Sequence, residues 1–408
     1  MTMQRMAGFV AGAAMMISAP ALAAEWYPYS ASFINIEGEL ANAIVGDGRR
    51  LIHMNDSEQI VGLSHDGSNW NAFFWDENSG SRYFGENSHG YYNSNTRPYG
   101  INNSGQVVGH HFFESATRPT AFLWDEASGM QNLGTLSTGP AAYAMDVNES
   151  GDVVGWSDVP DSGDRAFLWK DGHGMQNLGT MDTDSANADI RPVAINNSGQ
   201  VAGRSTVSGA FVWDENNGMR RLGSLPGGRQ YDTFAYDINN NGQIVGAGKT
   251  FSEFSHSGLG DHAFIWDEAN GIRDIGNQPE ISNWSLAYAI NDNGQVVGRA
   301  GLYVRREDGG GTNEKIGAFL WDETTGMRYI DDMIDPSLGI FIGTAIDINN
   351  NGAILGWGWG EGAGSGYFLL RPNDPLSTVP LPAAVWFMLT GLGGLFGARW
   401  LKKGQAAA

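Results

Sequence analysis

Two stretches of the sequence place carboxylate and amide oxygens at the spacing of a calcium loop. Residues 237–242 and 347–352 both read Asp-x-Asn-x-Asn-Gly, which matches the first half of the twelve-residue loop. The glutamate that binds calcium from position twelve is missing, because Gly248 and Gly358 stand there. Asn-Asn-Gly also suits a tight turn that needs a positive φ. The pattern therefore favours hairpin turns, with calcium binding as the alternative.

The sequence contains no recognisable catalytic motif. Cysteine is absent, which excludes cysteine nucleophiles and zinc–thiolate sites. The eight histidines lack metal-ligand spacing, and the adjacent His110 and His111 would point to opposite faces of a strand. An Asp-Glu pair follows most of the repeated tryptophans, for example Trp124 and Trp266, which identifies it as a turn element. We therefore predict no catalytic, cofactor-binding or metal-binding residues.

Two short segments carry side chains of the types that contact ligands. Tyr91 and Tyr92 offer aromatic faces for a sugar ring, although loop tyrosines also fold back onto the protein. Arg305 and Arg306 offer a clamp for an anionic group, or they are solvated charges. These four residues are the candidate ligand contacts.

The elements that position these segments are seven internal repeats. Each unit contains an Asn-rich turn, Gly-Gln-Val-Val-Gly or a variant, a variable stretch, Ala-Phe-Leu-Trp-Asp-Glu or a variant, and a second turn. The glycine that closes the first motif recurs from Gly62 to Gly356 in six steps, a period of about 49 residues. The seventh unit ends early, at Gly366-Tyr-Phe-Leu-Leu.

Each unit is predicted to form four short strands. The motif Ala-Phe-Leu-Trp is apolar at successive positions, which is typical of a strand buried on both faces. Four-stranded units at this period indicate an all-β, seven-bladed β-propeller over residues 24–372. The strand missing from the last unit is predicted to come from residues 32–36, which would close the ring. An open β-solenoid is the alternative.

Segment lengths distinguish the two faces of the predicted ring. The turn asparagine and the closing glycine are seven positions apart in every unit, as in Asn102 to Gly109. The turn after the tryptophan is also constant, whereas the other two connections vary in length. Because recognition is usually carried by variable loops on a constant scaffold, we expect it on the variable face.

The repeats resemble the bacterial HAF-type extracellular repeat, through motifs such as His262-Ala263-Phe264. The resemblance covers about residues 40–370. It implies an extracellular repeat protein but brings no defined activity with it.

The first 23 residues are typical of a secretory signal peptide. Arg5 precedes an apolar run, and Ala21-Leu22-Ala23 is a small-residue cleavage site for signal peptidase. A first transmembrane helix is the alternative, for which the apolar run is short.

The last residues are predicted to form a membrane anchor. A linker at 373–382 precedes a transmembrane helix with a basic tail at 383–403. The motif Val379-Pro380-Leu381-Pro382, together with this helix and tail, resembles the PEP-CTERM sorting signals. That resemblance implies an exosortase-type protease as a partner, which would remove the helix. A plain C-terminal anchor is the alternative.

The charge balance restricts the partners of the folded part. A net charge of −21 repels nucleic acid and anionic headgroups. We expect an exported protein held in an envelope membrane, or released to the surface or matrix after processing, that binds an extracellular glycan or a surface protein. A secreted carbohydrate-active or hydrolytic propeller enzyme and a structural coat protein without specific ligand are the alternatives.

Overall fold

The computed structural model describes residues 27–34, 39–40, 52–65, 70–85, 96–113, 117–137, 139–181, 184–185, 187–251, 259–276, 283–305 and 311–373. They form seven antiparallel sheets, numbered here as blades 1 to 7 in chain order. The propeller is one compact unit from Pro28 to Asp374.

The strands of the first four blades follow one another along the chain. Blade 1 has its first strand in two pieces, β2 (Glu39–Leu40) and β3 (Ile52–Met54), which both pair with the second strand, β4 (Ile60–His65); β5 (Trp70–Asp76) and β6 (Gly80–Tyr83) follow. Blade 2 contains β7 (Thr96–Ile101), β8 (Val107–His111), β9 (Thr120–Asp125) and β10 (Gly129–Gly134). Blade 3 contains β11 (Ala142–Val147), β12 (Val153–Val159), β13 (Gly163–Lys170) and β14 (Gly174–Asn177). Blade 4 contains β15 (Ile190–Ile195), β16 (Val201–Ser205), β17 (Gly209–Asp214) and β18 (Gly218–Arg221).

The remaining blades add three short 3₁₀ helices. Blade 5 contains β19 (Thr233–Ile238), β20 (Ile244–Phe251), β21 (Leu259–Asp267) and β22 (Gly271–Asp274), preceded by the 3₁₀ helix Gln230–Asp232. Blade 6 contains β23 (Trp284–Ile290), β24 (Val296–Arg305), β25 (Gly311–Asp322) and β26 (Gly326–Tyr329). Blade 7 contains β27 (Ile340–Ile348), β28 (Ile354–Gly360) and β29 (Gly364–Pro372), preceded by the 3₁₀ helices Ile330–Met333 and Pro336–Leu338.

An N-terminal strand completes the ring, as the repeat count predicts. Strand β1 (Tyr29–Phe33) pairs with β29 as the fourth strand of blade 7, from Tyr29 opposite Pro372 to Phe33 opposite Phe368. The strand begins three residues earlier than predicted from the sequence. Blade 7 therefore joins the two ends of the propeller: Ser30 Oγ donates to the carbonyl oxygen of Arg371, which lies 341 residues later in the chain.

The two repeated motifs meet inside every blade. The closing glycine of the second strand stands opposite the phenylalanine of the third, as in Gly246 opposite Phe264. A Cβ on Gly246 would lie 1.9 Å from the carbonyl oxygen of Phe234 and 3.0 Å from the Phe264 ring, so only glycine fits. The seven phenylalanines are at most 1% exposed: Phe73, Phe122, Phe167, Phe211, Phe264, Phe319 and Phe368. Burial of each ring stabilises the fold by roughly 1.5–3 kcal/mol.

Two faces of the ring follow from this topology. Five-residue turns join the first and second strands of all seven blades, and three-residue turns join the third and fourth strands of blades 1 to 6. All these turns lie on one side, which we call the invariant face. The connections between the second and third strands, and between consecutive blades, lie on the opposite, variable face. The sequence-based assignment of two faces is thus confirmed.

Within the described residues, no helix is long and apolar enough to cross a membrane. The predicted signal peptide at 1–23 and the predicted helix at 383–403 lie outside them.

Candidate ligand-binding face

Seven buried asparagines close the ring on the invariant face. Each donates from Nδ2 to the carbonyl oxygen of the equivalent asparagine in the next blade, at 2.9–3.3 Å. The last of these bonds runs from Asn349 back to Asn55, so the circuit is complete. The members are Asn55, Asn102, Asn148, Asn196, Asn239, Asn291 and Asn349, all 2–4% exposed.

Each of these asparagines also holds its own turn together. The Oδ1 of Asn239 accepts from the backbone N–H groups of Asn241 and Gln243, and its Nδ2 also donates to Gln243 Oε1 at 2.8 Å. All the hydrogen-bonding capacity of the buried amide is therefore used. This need explains why asparagine recurs in every repeat.

A second ring runs beside the first. The residue after each asparagine donates its backbone N–H to the side chain of the equivalent residue in the next blade, at 2.8–3.0 Å. This ring contains three carboxylates, Asp56, Glu149 and Asp292, each of which accepts one of these bonds. Both rings line a channel mouth of about 170 Å³. Because the first strands of all seven blades reach this mouth, they surround the central axis.

The calcium-like stretches are turns in the structure. Asp237 accepts from the backbone N–H of Ile238 and, across the blade interface, from that of Ile290. Asp347 makes the equivalent bonds to Ile348 and Met54. Among the described residues, no group of three or more His, Asp or Glu side chains could hold a metal ion. The hairpin interpretation is confirmed by these hydrogen bonds.

The Asp-Glu pairs also act as turn and interface elements. Asp322 Oδ1 accepts from the backbone N–H groups of Thr324 and Thr325 at 2.9 and 2.8 Å. Burial favours its protonated form, but the hydrogen bonds from Thr324 and Thr325 outweigh burial and lower the pKa of Asp322 to about 2.

The glutamates that follow such aspartates link neighbouring blades. Arg220 of blade 4 contacts Glu268 of blade 5 at 2.7 Å, and Arg273 contacts Glu323 of blade 6 at 3.1 Å. These pairs and the two rings therefore join neighbouring blades through polar groups of the invariant face.

One layer of the inner strands departs from the repeat. It comprises the residue after each closing glycine of the second strand, and it differs in chemistry from blade to blade, whereas the motif that ends in that glycine is nearly constant. Its members are Leu63, His110, Trp156, Arg204, Ala247, Arg299 and Trp357. The signal was present in the sequence, but it becomes visible only when the repeats are aligned on that glycine.

The layer forms an aromatic and cationic stack across blades 2 to 4. Trp156 stacks on Tyr143 with ring centroids 4.0 Å apart, and the Arg191 guanidinium lies over the Trp156 ring at 4.7 Å from its centroid. His110 packs edge-on against Tyr143 at 4.8 Å. Arg191 Nε donates to Asp164 Oδ2 at 2.6 Å. Burial raises the pKa of Asp164, although Arg191 opposes this shift.

Exposed apolar side chains are concentrated on the variable face. Of the eight large apolar residues that are exposed in the described part of the chain, two (Phe33 and Tyr83) lie on outermost strands. The other six lie in connections or strand ends of the variable face: Val207, Tyr231, Phe251, Leu338, Phe341 and Trp359. Such clustering on one face is typical of an interaction surface.

The structure places few of the predicted site residues. Arg305 ends β24 on the variable face, as expected, but its side chain is not among those described. Tyr91, Tyr92 and Arg306 lie outside the described residues. The same holds for Ala21, Ala23, Val379, Pro380, Leu381 and Pro382.

Comparison with known proteins gives a partial match to one family model. A model described as protein of unknown function (DUF3466) matches residues 230–363, less than half of the chain. A search of curated protein sequences finds no match.

Several solved structures are similar at low identity. The β-propeller domain of the Trilobed protease from Pyrococcus furiosus is 12% identical, with 84% of this chain and 100% of that domain covered and a TM-score of 0.46. YCF48 bound to D1 peptide is 12% identical, with 87% and 98% covered and a TM-score of 0.44. Puromycin hydrolase is 14% identical, with 74% of this chain covered and a TM-score of 0.43. The chain spans 48% of the length of that hydrolase. The family to which the whole chain belongs is not established by these matches.

Proposed function

We propose that this chain is an exported binding protein that recognises an extracellular glycan through the variable face of its propeller. The observation that carries the proposal is the contrast between the two faces. The invariant face carries two rings of hydrogen bonds that join the blades, whereas the variable face carries six of the eight exposed large apolar side chains of the described residues. Rigid scaffolds with variable loops commonly place recognition in this way.

The two ends of the propeller lie together at the invariant face, opposite the proposed recognition surface. Asn373 donates its backbone N–H to Pro28 O at 2.8 Å, so the first and last described residues are neighbours. Strand β29 runs from the variable face to the invariant face, and Arg371 there contacts Glu58 and Glu77 in turns of blade 1. Export itself is proposed from the signal-like residues 1–23 and the sorting motif.

A glycan array tests the proposal. The purified full-length chain is applied with calcium and again with EDTA, beside the double variant Phe251→Ala/Trp359→Ala on the variable face and Ser104→Ala on the invariant face. Selective binding that is weakened only by the double variant supports glycan recognition on the variable face. Loss of binding in EDTA would restore the calcium alternative. Absence of binding under both conditions would overturn the glycan proposal and direct the search to a protein partner.

A further inference from the structure

The second strand of blade 7 carries an aromatic pattern that no other blade repeats. Strand β28 contains Gly356-Trp357-Gly358-Trp359-Gly360, and alternate residues of a strand face the same side. Phe341 of β27 is the direct cross-strand partner of Trp359, and Tyr367 of β29 is the partner of Trp357. We call Phe341, Trp357, Trp359 and Tyr367 the blade-7 aromatic strip.

The strip is anchored at one end and exposed at the other. Tyr367 is 2% exposed and packs edge-on against Trp357, with ring centroids 4.9 Å apart. Trp357 is half-buried, whereas Trp359 is 50% and Phe341 45% exposed on the variable face. A Cβ on Gly358 would lie 2.1 Å from the carbonyl oxygen of Phe341, so glycine is required between the tryptophans. The exposed rings therefore stand on a rigid, closely paired base.

The further cross-strand partners of the two tryptophans are polar but uncharged. Thr344 is the second partner of Trp357 across the sheet, and Ser365 is the second partner of Trp359. The protein as a whole carries a net charge of −21, which disfavours an anionic ligand. The C–H face of a pyranose is apolar and slightly electropositive, which suits the negative face of an aromatic ring. Hydroxyl groups beside such rings suit the hydroxyls of the same sugar.

The exposed area of the strip by itself is smaller than the area of a stable protein interface. Two half-exposed aromatic side chains present on the order of 200 Å². A stable protein interface needs about 800 Å² from each partner.

We propose that the blade-7 aromatic strip is a binding subsite for neutral pyranose saccharides. The inference rests on the proposed function, because it assigns a ligand class and a position to recognition on the variable face. Trp359 and Phe341 would stack on the sugar, Thr344 and Ser365 would meet its hydroxyls, and Tyr367 would hold Trp357 in place.

Isothermal titration of the purified full-length chain tests this subsite. The probes are neutral oligosaccharides of glucose, mannose and galactose, with an oligogalacturonate as the anionic counterpart. The variants are Trp359→Ala, Phe341→Ala and the conservative Trp359→Phe. Tyr83→Ala is the matched control, since Tyr83 is 44% exposed but lies on an outermost strand. A thermal melt of every variant shows that it is folded.

We expect a neutral saccharide to bind, with affinity reduced about tenfold or more by Trp359→Ala and Phe341→Ala. Trp359→Phe should retain most of the affinity, and Tyr83→Ala should be unchanged. Equal binding by the wild type and Trp359→Ala overturns the subsite, as does binding of the anionic probe alone.

One further variant separates this failure from failure of the proposed function. Loss of saccharide binding in Phe251→Ala but not in Trp359→Ala moves the subsite to another part of the variable face and leaves the proposed function intact. Absence of binding to every glycan of the array overturns both. A dimer that Trp359→Ala dissociates in sedimentation, without saccharide binding, assigns the strip to a second copy.

Discussion

Replacing one asparagine of the inner ring should measure how strongly the circuit stabilises the propeller. In Asn102→Ala, the carbonyl oxygen of Asn148 loses its donor at 2.9 Å, and the N–H groups of Ser104 and Gln106 lose their acceptor. The contact with Gln106 Oε1 at 2.7 Å is lost as well. Each lost bond costs about 0.5–1.5 kcal/mol net, and water at the channel mouth can replace some of them. We expect the free energy of unfolding to fall by about 2–4 kcal/mol.

Urea unfolding of the full-length chain, followed by tryptophan fluorescence, measures this change. Ser104→Ala is the matched control, because Ser104 belongs to the same turn and is exposed. That control should change the free energy of unfolding by less than about 0.5 kcal/mol. If Asn102→Ala is no more destabilising than Ser104→Ala, the ring does not stabilise the closed propeller and the reasoning is refuted.

The variant Asn102→Asp separates the two halves of the amide. It keeps the acceptor for the N–H groups of Ser104 and Gln106, but it places an oxygen against the carbonyl oxygen of Asn148 and Gln106 Oε1. A buried carboxylate facing acceptors has a raised pKa, so its protonated form is favoured in the folded state. The destabilisation should therefore grow as the pH rises from 4 to 7. A loss that is independent of pH would contradict this geometry.

Two further predictions concern the scaffold. In urea unfolding, Gly246→Ala should lower the free energy of unfolding by more than about 2 kcal/mol. Gly343→Ala is the control and should be nearly neutral, because its Cβ would have its nearest contact at 3.4 Å. Equal effects of the two variants would refute the close approach at Gly246. Because the pKa of Asp322 is lower in the folded state, its carboxylate contributes stability that is complete above the unfolded pKa of 3.8 and is lost as the pH falls towards about 2. Asp322→Asn should therefore reduce the loss of stability at acid pH, measured by urea unfolding at a series of pH values. An unchanged acid dependence would contradict the assignment.

The sequence carried much of the fold because the repeat encodes it locally. Turn lengths, glycine positions and the run Ala-Phe-Leu-Trp depend on contacts within one blade, and the spacing of Gly62 to Gly356 gives the number of blades. Closure of the ring was also predictable, since the last repeat lacks its fourth strand and a strand-like segment outside the repeats precedes the first repeat. The exact bounds of the closing strand were not predictable from the sequence, because several residues near position 30 suit a strand. Only pairing with β29 selects Tyr29–Phe33.

What the tertiary structure alone decided is how one blade meets the next. The amide of Asn102 looks like an ordinary turn residue in the sequence, and its bond to Asn148 exists only because the blades are arranged around an axis. The exposure of aromatic side chains could likewise not be predicted from residue type. Phe368 is 1% exposed and Trp359 is 50% exposed, although they lie in adjacent strands of one blade. Burial depends on which face of a strand the next blade covers, and that is settled when the ring closes. Sequence thus determined the repeat and its two faces, while packing between blades determined which side chains remain free to bind.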